Sequence, residues 1–577
     1  MQIFSFSPFG YEGALVTVEV DIRRGIPAVD IVGLADGAVK ESRERMKAAI
    51  QNAGFAFPPE RVLISLSPAD LRKEGAGFDL AIALAVLQAE DAAACAARKN
   101  NALHNAAACT AESDASCDKA LERHSKPFSN DAILVMGELE LSGNVRNVRA
   151  VHAAAATAAS GGILKCIVPR ANADEAREVN GMKVYGADTL EGAFDALTHP
   201  EYFTERGESF EHAFVPDGAT EVDGVLFPPA TDCGEFAEIM GQQFLVRGLQ
   251  IAAAGGHNVL AVGAPGCGKT MALQKFGALL PLLTVEEAQS VTRIYSVAGL
   301  MSRDEPLIRI APFRQPHQTA TIEGMCGGGI HCIPGEISLA HNGVLFLDEA
   351  AEFRTSVLQM LRVPIENGRI TLARAGRSTV YPASFQLLLA SNPCPCGNFG
   401  SKANVCLCSA RSVELYWNKF SAPLLDRIDI RIPVDNECAH DSLHRTAPCS
   451  IDAFAAAQQK ASDARSCSGK HLSTAELRVA IARAVKIERR RQGCRNARLT
   501  PQEVVEHCRT TKEARTLLDN AVLRYSFSAR AVSSCLKIAR TVADMDDSDV
   551  IQEAHMKEAV SYRKSCNDFM NSNTHGE

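Results

Sequence analysis

Hydrophobic and polar positions divide this 577-residue chain into stretches of different character. In residues 1–200, strand-like apolar runs such as 15–20 and 61–66 alternate with helix-like runs such as 37–53. This alternation predicts an α/β or α+β domain. The pattern is interrupted at 90–130 by a stretch rich in Ala, Cys, Ser, Asn and Lys, where we expect a long, disordered surface insertion.

The remaining chain has a second alternating domain followed by helices. We expect a linker at residues 201–235 and a parallel sheet with helical crossovers at 236–435. A second irregular stretch is expected at 436–470, followed by a helical region at 471–566 and a tail at 567–577. The helical region opens with Ser473 and Glu476. Their spacing predicts a capping box, in which each side chain bonds the backbone amide of the other residue.

A glycine-rich segment between an apolar strand and a helix carries the clearest chemistry. The strand is predicted at 258–262, and the segment that follows it reads Gly263, Ala264, Pro265, Gly266, Cys267, Gly268, Lys269 and Thr270. This is the G-x-x-x-x-G-K-[ST] pattern of a phosphate-binding loop, in the strand–loop–helix context that gives the pattern meaning. The glycines let backbone N–H groups converge on an anion, while Lys269 and Thr270 are placed to contact phosphate and Mg²⁺. We therefore predict that ATP and Mg²⁺ bind here.

Two carboxylates follow the next strong strand signal, at residues 344–347. Ligands of parallel sheets bind at the carboxyl ends of the strands. Asp348 is therefore placed to join the Mg²⁺ site, and Glu349 to polarise the water that attacks ATP. A chance Asp-Glu pair is the alternative, and the preceding phosphate loop argues against it.

Two polar residues resemble the sensing groups of AAA+ ATPases. Asn392 follows a predicted strand at 386–391 and resembles the sensor-1 residue near the γ-phosphate. Arg530, in the helical region, resembles sensor 2, which implies that it reaches the γ-phosphate from a lid. Without that resemblance, Arg530 is an ordinary surface arginine.

Arg427 lies in a segment, residues 423–429, that resembles the arginine finger of the same superfamily. The resemblance implies that Arg427 acts on the ATP of a neighbouring subunit, so that the working form is a ring. The spacing alone also allows a structural ion pair with Asp426 or Asp429.

Four cysteines form two close pairs, with the spacing C-x-C–x₉–C-x-C. They are Cys394, Cys396, Cys406 and Cys408. Four thiolates can close a tetrahedral Zn²⁺ site, although the usual spacing within a pair is C-x₂₋₄-C. Buried free thiols or a reactive pair are the alternatives to bound zinc.

Several motifs occur together in the order of one known family. They cover residues 313–317, 334–343, 348–349, 392–397, 423–429 and 528–544, with N-terminal motifs at 32–34, 40–45, 67–71 and 73–75. On these motifs the chain resembles the Mg-chelatase-like AAA+ ATPases of the ComM/YifB type over nearly its whole length. The resemblance implies a Lon-protease/S5-like N-terminal domain, an AAA+ core and a helical lid. It also implies a hexameric helicase or branch-migration motor that acts on DNA in recombination or natural transformation.

The Lon-like domain lacks a protease dyad at the matching positions. The segment after Lys73 contains no serine, and His152 stands near the position of the expected lysine. Since a Ser–Lys dyad needs a hydroxyl nucleophile and an amine base, we expect no protease activity. A scaffolding or substrate-engaging role is the remaining hypothesis for this domain.

A predicted β-hairpin at 368–380 is the candidate DNA contact. In related ring helicases such a hairpin projects into the central pore. Arg374 and Arg377 near its tip would bind phosphates of single-stranded or branched DNA regardless of sequence. A solvated hairpin is the alternative. Seven basic residues within 483–498 form a second basic feature, which is more typical of a solvated helix face.

Composition narrows the location and leaves the partner open. No apolar run reaches the roughly 18 residues of a membrane span, and the first residues lack a signal-peptide pattern. In such a chain the nineteen cysteines indicate reduced thiols, so we expect a cytoplasmic protein without membrane contact. The net charge of −8 excludes a general positive coat and leaves local DNA contact open.

A magnesium-chelatase ATPase subunit and a protein-remodelling ATPase are the other functions to weigh, and the Lon-like front domain counts against the chelatase.

Overall fold

The structure, a computed structural model, describes residues 1–34, 36–69, 71, 73, 75–105, 132–204, 214–229, 235–239, 242–302, 305–329, 332–374, 377–399, 405–434 and 472–563. The irregular stretch expected at 436–470 and the tail expected at 567–577 lie outside these residues.

The N-terminal part folds around a mixed sheet. Its strands are β1 (Gln2–Ser7), β2 (Ala14–Arg23), β3 (Ala28–Val32), β4 (Arg61–Ser67), β5 (Ala132–Val135), β6 (Glu138–Leu139), β7 (Val145–Arg146), β8 (Lys165–Pro169) and β9 (Lys183–Ala187). Its helices are α1 (Gly37–Asn52), α2 (Asp79–Asn105), α3 (Val151–Ser160), α4 (Ala173–Arg177) and α5 (Leu190–Thr198). Seven strands share one sheet in the order β3-β4-β2-β1-β5-β8-β9, and β6 pairs with β7 separately.

Helix α2 is the central helix of this part. Residues 80–87 are all buried, and a helix that is apolar on every side belongs in a core. The helix continues to Asn105, so the first part of the stretch expected to be irregular is helical. The reason is composition, because residues 89–105 are rich in alanine, the residue with the highest helix propensity. The rest of that stretch, 106–131, lies outside the described residues.

The central part carries the parallel sheet that the sequence predicts. Its strands are β10 (Thr220–Val222), β11 (Val225–Phe227), β12 (Val259–Gly263), β13 (Phe313–Arg314), β14 (Gly327–Gly328), β15 (Ile333–Pro334), β16 (Val344–Leu347), β17 (Arg369–Arg374), β18 (Arg377–Pro382), β19 (Gln386–Ser391) and β20 (Ile430–Val434). Its helices are α6 (Gln243–Gly255), α7 (Lys269–Gln274), α8 (Val285–Ala298), α9 (Ile322–Cys326), α10 (Glu336–Leu339), α11 (Thr355–Met360), α12 (Arg362–Asn367), α13 (Ala410–Trp417) and α14 (Ala422–Leu425).

Five of these strands form one sheet in the order β13-β16-β19-β12-β20, with every pair parallel. Strands β16 and β19 are buried along their whole length, which explains their continuous apolar runs. Because all five strands run the same way, the residues that follow β12, β16 and β19 meet at one edge of the sheet. This edge positions the candidate site.

Five helices form the C-terminal part: α15 (Thr474–Arg491), α16 (Pro501–His507), α17 (Lys512–Tyr525), α18 (Ala529–Met545) and α19 (Glu553–Arg563). The capping box of Ser473 and Glu476 is confirmed at the start of α15. Apolar side chains of α15 and α18 share one core with α6 and with the central sheet. The helices therefore pack directly on the sheet domain, and the expected α/β architecture with C-terminal helices is confirmed.

Helix α8 holds the N-terminal part against the central part. Arg293 Nε donates to Tyr11 O at 2.9 Å, and its Nη2 donates to Thr157 Oγ1 at 2.8 Å. The Tyr11 amide also donates to Thr379 Oγ1, on strand β18, at 3.3 Å. The N-terminal part thus contacts the β17–β18 hairpin. Within the described ranges, every helix is too short or too polar to cross a membrane.

Candidate active site

The phosphate loop connects the carboxyl end of β12 to the first turn of α7. Gly266 and Gly268 have φ values of +79° and +86°, a conformation that residues with a Cβ seldom adopt. Gly263 is required for a different reason, since a Cβ there would lie 2.2 Å from the carbonyl oxygen of Val434 on β20. The glycines of the motif are therefore explained by backbone geometry.

Lys269 lies at the start of α7 with its side chain buried. Its Nζ donates to the carbonyl oxygens of Gly263 at 2.6 Å and Ala264 at 2.8 Å, and it lies 3.4 Å from Asn392 Oδ1. The ammonium thus joins the phosphate loop to the residue that follows β19. A phosphate bound by the loop would meet both the ammonium and the Asn392 side chain.

Thr270 and Asp348 form the candidate Mg²⁺ site. The Thr270 hydroxyl donates to Asp348 Oδ1 at 3.1 Å, and the Glu349 amide donates to the same oxygen at 3.0 Å. Mg²⁺ prefers oxygen ligands and is commonly held by one or two protein oxygens together with substrate phosphates and water. The hydroxyl and the carboxylate fit this donor set.

Glu349 has φ +47° and ψ +47°, in the left-handed region. For a residue with a Cβ this conformation costs of order 1–3 kcal/mol and is concentrated at functional sites. The side chain is exposed and lines a cavity of about 340 Å³. The same cavity is lined by Lys269, Thr270, Asp348 and Asn392, so the structure brings five predicted residues together.

Arg427 and Arg530 lie elsewhere and share one partner that the sequence did not indicate. Arg427 pairs with Glu366, in helix α12, and Arg530 Nη2 lies 2.6 Å from Glu366 Oε1. The hydrogen bond from Arg427, and then that from Arg530, lowers the pKa of the Glu366 carboxyl. These three residues line a second cavity, of about 850 Å³, and none of them lines the phosphate-loop cavity.

The structure gives both arginines a partner other than those considered from the sequence. The alternative ion pair of Arg427 with Asp426 or Asp429 is replaced by the pair with Glu366, because C-terminal residues, including Arg563 on Asp426, bind both aspartates. Ser528 Oγ donates to Asp426 at 3.0 Å and Ser534 Oγ to Asp429 at 2.7 Å. The same hydrogen bonds hold the start of α18 beside Arg427. Arg530 consequently lies beside Arg427 and does not line the phosphate-loop cavity, so its action on a γ-phosphate stays a prediction.

The four cysteines predicted as a metal site converge in space. The Sγ atoms of Cys394, Cys396, Cys406 and Cys408 all lie within 4.8 Å of one another. Three of the Sγ–Sγ distances are 3.3 Å, 3.7 Å and 3.6 Å. A tetrahedral Zn²⁺ with Zn–S bonds of about 2.3 Å separates its sulfurs by about 3.8 Å. The donor set and its spacing fit Zn²⁺.

The predicted hairpin is present as strands β17 and β18. Arg374 and Arg377 face each other in register where the strands end. The placement of their side chains lies outside the described part of the chain. Ile370, Leu372 and Tyr381 anchor the base of the hairpin in the core behind the sheet. The turn is therefore carried on a fixed base.

The second basic feature, along α15 and the residues after it, is structural in large part. Six of its seven residues already hydrogen-bond protein groups, so their side chains are engaged in holding the fold. These residues are Arg483, Lys486, Arg489, Arg491, Arg495 and Arg498.

The residues discussed for a protease dyad are buried. The Lys73 side chain donates to the carbonyl of Pro68. His152 is enclosed in α3, and burial lowers the pKa of its imidazole to about 3. A base this weak and this enclosed is poorly suited to activate a nucleophile at neutral pH.

A parallel sheet with a phosphate loop after one strand and an Asp-Glu pair after another defines a P-loop ATPase of the AAA+ type. Comparison with known sequences places it further. The profile described as "Magnesium chelatase, subunit ChlI" matches residues 235–442. The profiles "Subunit ChlI of Mg-chelatase" and "Magnesium chelatase, subunit ChlI C-terminal" match residues 18–107 and 471–563.

Several relatives cover nearly the whole chain. "Uncharacterized protein YifB" of Escherichia coli is 36% identical over 96% of this chain and 95% of its own length. "Competence protein ComM" of Haemophilus influenzae is 34% identical over 97% of both chains. The "Magnesium-chelatase 38 kDa subunit" of Cereibacter sphaeroides is 25% identical over 27% of this chain and 52% of its own length. The chain belongs to the ComM/YifB family of Mg-chelatase-like AAA+ ATPases.

Proposed function

We propose that this protein is an ATP-driven motor that remodels DNA as a ring, a hexameric helicase or branch-migration factor. The observation that carries the ATPase part is the cavity shared by Lys269, Thr270, Asp348, Glu349 and Asn392. Lys269 and the loop amides bind the β- and γ-phosphates, while Thr270 and Asp348 hold Mg²⁺. Glu349 orients the attacking water, and Asn392 bonds the γ-phosphate.

The ring follows from the separation of the two arginines from this cavity. Phosphoryl transfer is accelerated strongly by an arginine at the transferring phosphate, supplied either in the same chain or by a partner. The described residues that line the phosphate-loop cavity include no arginine. Arg427 and Arg530 lie together on another face, which supports a role for both at the ATP of a neighbouring subunit.

DNA as the substrate is supported by the hairpin and by one relative. The β17–β18 hairpin carries an arginine on each arm beside its turn and begins three residues after Glu366, the partner of Arg427 and Arg530. A movement of the Arg427 or Arg530 side chain at the subunit interface would therefore occur close to the base of the hairpin. The competence protein among the relatives is consistent with handling of DNA taken up by cells.

The decisive measurement is ATPase turnover with and without forked or single-stranded DNA. We expect DNA to stimulate the wild type and the stimulation to be abolished in the double variant Arg374→Ala/Arg377→Ala. In a plot of the logarithm of DNA affinity against the logarithm of salt concentration, the slope should also become less negative in the variant. The change should be about 0.7–0.9 for each DNA phosphate that the variant no longer binds. Arg369→Ala, at the opposite end of the same hairpin, is the matched control and should keep both properties.

The same measurement separates the other functions. Stimulation by a porphyrin-chelatase partner and none by DNA would support a magnesium-chelatase subunit, which the short match to the 38 kDa subunit favours. A rate that responds to neither would support a protein-remodelling ATPase.

We further propose that Zn²⁺ is bound by Cys394, Cys396, Cys406 and Cys408, as the spacing of their sulfurs supports.

A further inference from the structure

The four-cysteine cluster lies directly against the ATP site. Cys394 is separated from Asn392 by Pro393, so one ligand is close in sequence to a residue of the phosphate cavity. The Cys394 side chain is buried and accepts a hydrogen bond from the Phe399 amide at 3.3 Å. Trp417 Nε1 donates to the carbonyl oxygen of Pro393 at 3.0 Å. The inner side of the cluster is thus fixed to the end of β19.

A glycine packs against the phosphate loop itself. Gly397 follows the ligand Cys396 and has φ +78°, which favours glycine. A Cβ at Gly397 would lie 2.5 Å from Cδ and 2.7 Å from Cγ of Pro265. Pro265 is the third residue of the phosphate loop. The turn that carries the first two cysteines therefore packs on the loop that is proposed to bind ATP.

The described part of the segment that carries the last two cysteines, residues 405–409, turns its apolar side chains to solvent. The side chains of Val405 and Leu407, on either side of Cys406, are 81% and 89% exposed. Apolar packing therefore does not fix this segment against the protein. In small metal sites of this kind, the free energy of metal binding supplies the free energy of folding. A metal bound by all four thiolates would join this segment to the turn at Gly397.

We propose that one Zn²⁺ bound by Cys394, Cys396, Cys406 and Cys408 braces the phosphate loop, so that the occupancy of this site controls ATP binding. Zinc holds the turn at Gly397 against Pro265 and fixes the backbone that leads from Asn392 into the cluster. Removal of the metal frees the turn and this backbone. ATP affinity then falls, while the sheet and the C-terminal helices keep their own cores. This inference rests on the proposed ATP site.

The test uses the full chain, purified under a thiol reductant that does not chelate metal, and compares three variants with the wild type. Cys406→Ser and Cys408→Ser each remove one ligand from the outer segment. Cys494→Ser changes a half-buried cysteine outside the cluster and is the control. Zinc per chain is measured by elemental analysis, and the Kd of a fluorescent ATP analogue is measured on the same samples.

We expect about one zinc per chain in the wild type and the control, and less than about 0.2 in the ligand variants. The Kd for the ATP analogue should rise roughly tenfold in the ligand variants, because displacement of binding groups by about 1 Å is costly. Circular dichroism should show that all three variants stay folded. Zinc below about 0.2 per chain in the wild type would overturn the proposal.

Gly397→Ala tests the packing on Pro265 without removing a ligand. It should keep its zinc and still bind the ATP analogue more weakly, since the added methyl group meets Pro265. If the wild type and all variants bind the analogue equally while zinc is absent from the ligand variants, the brace is wrong and the ATPase proposal stands. If the zinc-loaded wild type fails to bind the analogue, the proposed ATP site itself is wrong.

Discussion

Two cavities, one at the phosphate loop and one between the central part and the C-terminal helices, divide the groups that the proposed ATP hydrolysis needs. The phosphate-loop cavity contains a lysine, a hydroxyl and two carboxylates. Lys269 lies beside Asn392, while the Thr270 hydroxyl and the backbone amide after Asp348 both donate to the Asp348 carboxylate. The second cavity contains Arg427 and Arg530 on a single exposed carboxylate, Glu366. In the proposed function the first cavity binds and orients ATP, and the second supplies the two arginines. The division supports the proposal that two protomers complete one site.

Lys269→Ala should have the largest effect on this comparison, because it removes the cation from the phosphate-loop cavity itself. We expect ATP binding and turnover to be abolished, with turnover falling by about 100-fold or more. Glu349→Gln is its matched partner. That variant should lose turnover to a similar extent and keep ATP affinity, since the loop amides and Lys269 remain. Equal loss of affinity in both variants would contradict separate roles for binding and water activation. Steady-state kinetics and binding of a fluorescent ATP analogue measure the two effects.

Mixing of inactive variants tests whether the second cavity serves a neighbour. Arg427→Ala protomers keep an intact phosphate-loop cavity, and Glu349→Gln protomers keep both arginines. Each variant alone should be nearly inactive. An equal mixture should recover roughly a quarter of wild-type turnover if protomers assemble at random in a symmetric ring. The absence of any recovery would contradict a site shared between protomers.

A mixture of Arg530→Ala protomers with Glu349→Gln protomers tests which ATP Arg530 acts on. The structure indicates the ATP of a neighbour, and the family resemblance alone implies the ATP of the same chain. If Arg530 acts on a neighbour, as its pairing beside Arg427 indicates, this mixture should also recover activity. If Arg530 serves the ATP of its own chain, both kinds of protomer are defective at their own site, and mixing should restore nothing. The ATPase rate as a function of mixing ratio gives the answer.

The two cavities also differ in how well the sequence predicts them. Asp348 and Asn392 directly follow short apolar strands, and Lys269 follows another through the phosphate loop. Parallel strands bring their carboxyl ends to one edge, so the strand pattern alone predicts that these residues share an edge of the sheet. The second cavity depends on how helix α18 packs on the segment after α14. That packing is fixed by hydrogen bonds such as that of Ser528 with Asp426, which join residues far apart in the chain. Glu366 is one acidic residue in a short helix, and no local pattern marks it. The cysteine spacing predicted a metal site, and only the fold brings Gly397 against Pro265.

Glu366→Gln should give the smallest effect and is the finest test of the second cavity. An exposed ion pair contributes only about 0–1 kcal/mol to folding, so the melting temperature should change little. Turnover should fall by a few-fold, because the two arginines lose the group that positions them before ATP arrives. Glu414→Gln, at another exposed site, is the control. It should leave turnover as in the wild type. The pKa of Glu366 is lowered by its two arginines, so the pair persists above the usual carboxyl pKa and is lost only as pH falls through the lowered value. The deficit of the variant should therefore stay constant across neutral and alkaline pH. A deficit that grows through neutral pH would assign it to another titrating group and would contradict a positioning role for Glu366.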